Sequence, residues 1–300
     1  MVSLRLRLLC SAMRSVLIGS LIVLSAAACG SLPTTASSTT STSDAPLDTT
    51  TTTAPPAAPC LEAGEGFFGD GPLGTTSDGP GDAATVTGVQ LSTYEGCERL
   101  TIELAATSGA PATSVGPTSA EFVRKHGLVR VHLDGPVDST TLSDVVFESE
   151  LVDRVFVVRD SNGSLFVDVH LAAASVARLS EVSGPARIVV DLAPGGTEIR
   201  SPERSDFIVV MPLDEPLASP VTITGYGRTF EANVILRARI GSEIVAETFT
   251  TSADYVETWG WFELELPTEV AGDVELFIGE DSARDGQEQG VRLEVTVPET

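Results

Sequence analysis

The sequence predicts an all-β fold, in two β domains behind a disordered N-terminal tether. Three observations predict it. Apolar and polar residues alternate over residues 100–104 (LTIEL), 129–133 (VRVHL) and 165–171 (LFVDVHL), which is the period of half-buried strands. Residues 155–159 and 165–169 flank Asp160, Ser161, Asn162, Gly163 and Ser164, and Asn-Gly supplies the positive φ values of a tight hairpin turn. The chain also holds 27 glycines and 18 prolines against 5% aromatic residues, a composition suited to many short elements joined by turns. At 300 residues and 42% apolar content, there is enough material for two packed cores.

The first element is an address. Residues 1–15 carry Arg5, Arg7 and Arg14 and no acid, and residues 16–28 form an apolar run broken only by Gly19 and two serines. That run is too short to span a bilayer, which takes about 20 residues, and it reads as the h-region of an export signal. Its end, Ala26-Ala27-Ala28-Cys29, resembles the bacterial lipobox, which implies that the Cys29 thiol takes a lipid and that the chain is anchored to the outer face of the cell membrane. An ordinary secretory signal cleaved after Ala28 is the alternative, and either reading exports residues 29–300.

Residues 29–59 form the tether. From Gly30 to Pro59 there are 15 Ser or Thr, five Pro, five Ala and no Lys or Arg. Little there can be buried against the entropy of ordering, so the stretch is expected to be disordered. Removing the signal leaves Cys60 and Cys97 as the spare pair of thiols. In an exported chain these are expected to join, closing a loop whose chain-entropy contribution is about 4 kcal/mol.

Residues 60–195 are read as the first β domain, with residues 186–192 (ARIVVDL) as a further strand and residues 120–125 as a short helix candidate. Tyr94, Glu95, Gly96, Cys97, Glu98 and Arg99, followed by LTIEL, resemble the His-x-Gly-aromatic-Asp-Arg segment of the AMIN-like domains of actinobacterial envelope lipoproteins, and residues 187–191 (RIVVD) resemble their closing strand. Gly96 and Arg99 are retained, while Tyr94, Cys97 and Glu98 replace the family's His, aromatic and Asp. The resemblance implies a non-catalytic β module that localises a protein at the envelope by binding peptidoglycan or another envelope component. Tyr94, Gly96 and Arg99 become candidate binding residues on that basis. Arg99 is equally suited to be the ion-pair partner of a strand carboxylate.

Residues 203–298 are read as the second β domain. Short strands recur at residues 221–224, 232–240, 243–250, 261–266, 274–278 and 291–297, a spacing that suits a β-sandwich. The run SPVTITGYGRTFEANVILRARIGSEIVAETFTTSADY is similar to the immunoglobulin-like domain of bacterial spore germination proteins, with Pro220, Val221, Gly225, Phe230, Glu231, Ala232 and Asn233 at its most recognisable stretch. That family is implied to be a structural or interaction module with no catalytic residues. Pro202, Pro212, Pro216 and Pro220 mark a boundary across which few contacts are expected.

Charge and motifs exclude several functions. With 18 basic and 42 acidic residues, a formal net charge of −24, the chain lacks the basic clusters that phosphate recognition requires, so nucleic acid is not a partner. Gly64, Gly66 and Gly69 spell a dinucleotide fingerprint, but no strand precedes it and no helix follows, so it reads as a loop. Asp70, Asp78 and Asp82 on that loop are either solvated acids or oxygen ligands for calcium. His126, His132 and His170 lack metal-ligand spacing, and the last two are expected at the surface or a sheet edge. No metal, cofactor or catalytic residue is assigned. Trp259 and Trp261 share a strand face and either fill a core or stack on sugar rings. The expectation is a non-catalytic, lipid-anchored envelope binding or scaffolding protein, peptidoglycan-associated, with cell-wall glycan or an envelope protein as partner. The alternative is a wall-active hydrolase using a carboxylate pair, whose required separation is a property of the fold.

Overall fold

The computed structural model describes residue 60, residues 66–76 and residues 79–299. The export signal, Cys29 and the tether lie outside the described residues, as do Gly64 and Asp78.

The described chain is all-β. It runs through β1 (Gly71–Thr75), β2 (Ala83–Tyr94), β3 (Cys97–Ala106), β4 (Ser119–Val123), β5 (Leu128–Leu133), β6 (Ser139–Thr140), β7 (Asp144–Val146), β8 (Val152–Arg159), β9 (Leu165–Leu171), β10 (Ser175–Val182) and β11 (Arg187–Pro194). After a long connection come β12 (Glu203–Arg204), β13 (Ile208–Val210), β14 (Thr222–Gly227), β15 (Asn233–Ile240), β16 (Glu243–Thr251), β17 (Trp259–Glu265), β18 (Gly272–Asp281) and β19 (Glu288–Val297). The helix expected at residues 120–125 is instead β4 followed by a 3-10 turn, Arg124–His126. Ala120 and Phe122 alternate into the core while Ser119, Glu121 and Val123 face the other way, and tertiary burial decides the period of so short a segment. The Asp160–Ser164 hairpin is present with Arg159 opposite Leu165. Only Gly163 adopts positive φ, and the Asn162 side-chain oxygen accepts the Ser164 N–H at 2.7 Å.

Two sandwiches share one long sheet. Its order is β1-β4-β5-β9-β8-β17-β14-β13-β12, with β7 added on β8. A five-stranded sheet, β10-β11-β3-β2-β6, covers the first half, and a four-stranded sheet, β16-β15-β18-β19, belongs to the second. One core holds Leu100, Ile102, Phe122, Val131, Val167 and Ile188 among others. The other holds Ile223, Leu236, Phe262, Leu276 and Ile278.

The expected boundary between Gly195 and Pro220 is heavily crossed, which corrects the expectation of few contacts there. Strands β8 and β17 pair in parallel, Val158 with Trp259 and Arg159 with Gly260. Residues on the face of the long sheet turned away from the two sandwich cores form a third core, in which Leu128, Phe156, Val158 and Phe166 meet Val209, Met211, Tyr226 and Trp259. Each large side chain sealed this way contributes roughly 1.5–3 kcal/mol of transfer free energy, so the two sandwiches are welded along this seam. Polar ties add to it: Trp259 Nε1 donates to Asp144 (3.2 Å), Arg228 to Ser143 (2.8 Å), Arg159 pairs with Asp254 (3.3 Å) and Arg204 pairs with Asp153.

Candidate functional site

The candidate binding segment begins at the tip of the β2–β3 hairpin. Tyr94 stands opposite Cys97, which leaves Glu95 and Gly96 as a two-residue turn. Gly96 has φ 83°, a left-handed conformation that side-chain-bearing residues adopt at a cost. Tyr94 is half-buried and Glu95 and Gly96 are exposed. Cys97 is buried and bonded to Cys60, with Cα atoms 6.4 Å apart, as expected from the sequence. Glu98 turns inward, is buried, and accepts the Ser149 hydroxyl at 2.7 Å.

Arg99 lies beside Asp191 in the β3–β11 register, and Asp191 lies beside Arg178 in the β10–β11 register. Arg99 donates from Nε to Asp191 Oδ1 (2.6 Å) and from Nη2 to Oδ2 (3.0 Å), while Arg178 Nη2 donates to Oδ2 (2.6 Å) and to the Cys60 carbonyl oxygen (3.3 Å). Asp191 is fully buried. The Arg178 guanidinium also lies 4.8 Å from the centroid of the Phe67 ring, so the segment around residues 60 and 67 lies against the cluster. Of the two roles open to Arg99 in the sequence, the ion pair is realised in the fold.

A second cluster, which the sequence did not single out, sits in the seam between the sandwiches. Arg130 and Asp168 face each other across β5 and β9 and form a bidentate pair at 2.8 and 2.7 Å. Asp168 is fully buried, and Arg130 stacks 4.2 Å from the Phe166 ring centroid and 4.9 Å from that of Trp261. Burial works against the Arg130 charge, but the Asp168 carboxylate outweighs it and raises the guanidinium pKa. A signal was present: the apolar strands LVRVHL and LFVDVHL each carry one charged residue and one His.

The histidines divide. His132 is partly exposed beside Glu121 (3.6 Å). His170, expected at the surface or an edge, is instead buried in the seam and hydrogen-bonded to the Tyr226 hydroxyl, because β9 is covered on both faces. Burial lowers its pKa from 6.5 to about 4, with Asp168 opposing and Arg204 adding to the shift. His126 is lowered to about 4 by burial and by Lys125. Both therefore bind fewer protons in the folded chain than in the unfolded one between pH 6.5 and 4, so stability is complete above pH 6.5 and is lost as pH falls toward 4. For His170 the loss is about 3 kcal/mol. Denaturant midpoints measured from pH 7 to 4 should fall, and less steeply for His170→Gln; an unchanged slope in that variant would move the loss to other groups.

The remaining candidates do not converge. Asp82 accepts the backbone N–H groups of Thr113 and Ser114, each at 2.9 Å, and the Thr113 hydroxyl. These bonds, the Ser114 backbone bond foremost, lower its pKa. Asp70 pairs with Arg124 at 3.3 Å. Among the described residues no group of three His, Cys, Asp or Glu is placed to hold a metal ion. Gly66, at φ 97°, and Gly69, in a bend, precede β1, and a strand rather than a helix follows them. Trp259 fills the seam, and Trp261 is half-buried against Arg130.

Residues 208–287 match a protein family described as the immunoglobulin-like domain of bacterial spore germination, Gmad2. The match runs from β13 to the loop after β18, so it lies within the second sandwich and encloses the stretch from Pro220 to Asn233. No curated protein matches the chain, and no solved structure does.

Proposed function

We propose that this chain is a non-catalytic envelope adaptor, exported, lipid-anchored through Cys29, with an AMIN-like first sandwich directed to cell-wall glycan and an immunoglobulin-like second sandwich directed to a protein partner. The observation that carries the reading is the match of residues 208–287 to an immunoglobulin-like family. Use of the most deeply buried carboxylates as ion-pair partners supports it too: Asp168 is engaged by Arg130, and Asp191 by Arg99 and Arg178. The hairpin tip, with Glu95 and Gly96 exposed and Tyr94 half-buried, is the part of the AMIN-like segment open to a ligand, with Arg99 behind it. Contact with an anionic wall polymer works against the net charge of −24, so an uncharged glycan is the favoured ligand, and added salt should strengthen sedimentation with whole peptidoglycan only by screening repulsion from its anionic groups.

One experiment with two arms tests the reading. The purified chain should sediment with insoluble peptidoglycan, and Tyr94→Ala should weaken this without changing thermal unfolding. In cells, Cys29→Ser should move the protein out of the membrane fraction. Peptidoglycan turnover by the chain would overturn the non-catalytic reading. Absence of sedimentation at any salt would remove the wall, and unchanged fractionation would remove the lipid anchor.

A further inference from the structure

One bond sets the route by which a pull on the N-terminal chain enters the fold. Residue 60 is the first described residue, and its sulfur is bonded to that of Cys97. Cys97 opens β3, the middle strand of the five-stranded sheet, flanked by β2 on one side and β11 on the other. Residues 61–96, with β1 and β2 among them, therefore form a closed loop that a pull on Cys60 bypasses.

Without the bond, the same pull would travel along the backbone through short edge attachments. Phe68 is held to Ala177 by two backbone hydrogen bonds, at 2.9 and 2.8 Å. Strand β1 follows; it ends the long sheet, pairs with β4 alone, and has its register broken between Pro72 and Gly74. Edge segments of this kind open at a fraction of the free energy that a core strand requires. Strand β3 is a core strand, with Leu100, Ile102 and Leu104 buried in the first core.

The point of attachment is also braced. Arg99, two residues along β3 from Cys97, pairs with the buried Asp191 of β11 (2.6 Å), and Asp191 pairs with Arg178 of β10 (2.6 Å). Arg178 in turn donates to the Cys60 carbonyl oxygen (3.3 Å). Charge-assisted hydrogen bonds are roughly twice as strong as neutral ones. Cys60 is thus joined covalently to β3 and, through this cluster, to β10 and β11.

We infer that the Cys60–Cys97 bond is a mechanical shunt, which delivers tension from the N-terminal chain to β3 and keeps it off the edge segment carrying Phe68 and β1. Resistance to a pull is then governed by the rate at which β3 and the core beneath it open. Tension at this point is what an anchored chain engaged with a wall or a partner experiences. The use of the shunt in the cell therefore rests on the proposed anchoring through Cys29, whereas the mechanical property does not.

Optical tweezers test it, with the chain held by tags at its two ends. The disulfide-bonded chain should give no short first step, and its fully unfolded length should be about 125 Å less than that of a chain without the bond, the span of the loop that stays closed. Cys60→Ser with Cys97→Ser should add a separate first step at lower force, lengthening the chain by up to about 75 Å as residues 61–82 peel away while β2 and β3 stay folded. Cys60→Ala with Cys97→Val gives the same comparison with an apolar filling of the buried site, should the serine pair fail to fold. A variant that is merely less stable loses residues 61–82 only together with the rest of the first sandwich, and that result would overturn the inference. A step of the same length in the disulfide-bonded chain would do so too. Loss of the anchor, read separately by fractionation of Cys29→Ser, leaves these lengths unchanged.

Discussion

Replacing Asp168 with Asn is expected to lower the unfolding free energy by about 3–5 kcal/mol, the usual result of removing one member of a buried ion pair. Asp168 is fully buried and holds Arg130 by two hydrogen bonds of 2.8 and 2.7 Å. With Asn in its place, the guanidinium stays between Phe166 and Trp261 without its counter-charge, in a largely buried site. The damage should extend to both sandwiches, because the same seam holds Phe156, Tyr226 and Trp259. Denaturant unfolding followed by Trp fluorescence and by far-ultraviolet circular dichroism should shift together. The double variant Arg130→Met with Asp168→Leu should recover most of the loss, since well-packed apolar side chains often replace a buried pair at little cost. A loss below about 1 kcal/mol in Asp168→Asn would mean that the seam opens to water.

Converting Cys60 and Cys97 together to Ser is expected to cost about 4 kcal/mol, from the loop entropy released in the unfolded chain. The bond joins residues 37 apart in sequence. It also holds the Cys60 carbonyl against Arg178, so its loss loosens the covering of Asp191. Apart from the disulfide, the segment is tied by the backbone bridge of Phe68 with Ala177, at 2.9 and 2.8 Å. The double variant should show a lower denaturant midpoint and a somewhat steeper slope, because the unfolded chain without the cross-link exposes more surface. A midpoint shift worth less than about 1 kcal/mol would assign the anchoring of this segment to that bridge instead.

Local pattern in the sequence determined the class of fold and much of its detail. The alternation in LTIEL and VRVHL, the Asp160–Ser164 turn and the strands from residue 221 to residue 297 were legible, because a strand's period and a turn's chemistry are short-range properties. The Cys60–Cys97 pairing was legible by the same economy, from the count of thiols left once residues 1–28 are read as an export signal and Cys29 as a lipid site. The immunoglobulin-like character of residues 208–287 was carried by the run around Gly225 and Asn233. Legibility ended where an element's environment depends on distant chain. LFVDVHL reads as half-buried, yet all seven residues of β9 are buried, since the second sandwich covers the face that alternation assigned to solvent. His170 moved from an expected surface to a buried hydrogen bond for that reason, and Asp168 became half of a sealed ion pair. Arg99 could be assigned to Asp191 only once β3 and β11 were neighbours, residues 92 positions apart. The sequence by itself thus determined which segments are strands and which residues turn the chain. Only the tertiary structure decided which faces are wet, because burial is set by what packs across a sheet, and neither a period of two nor a residue's own chemistry specifies that partner.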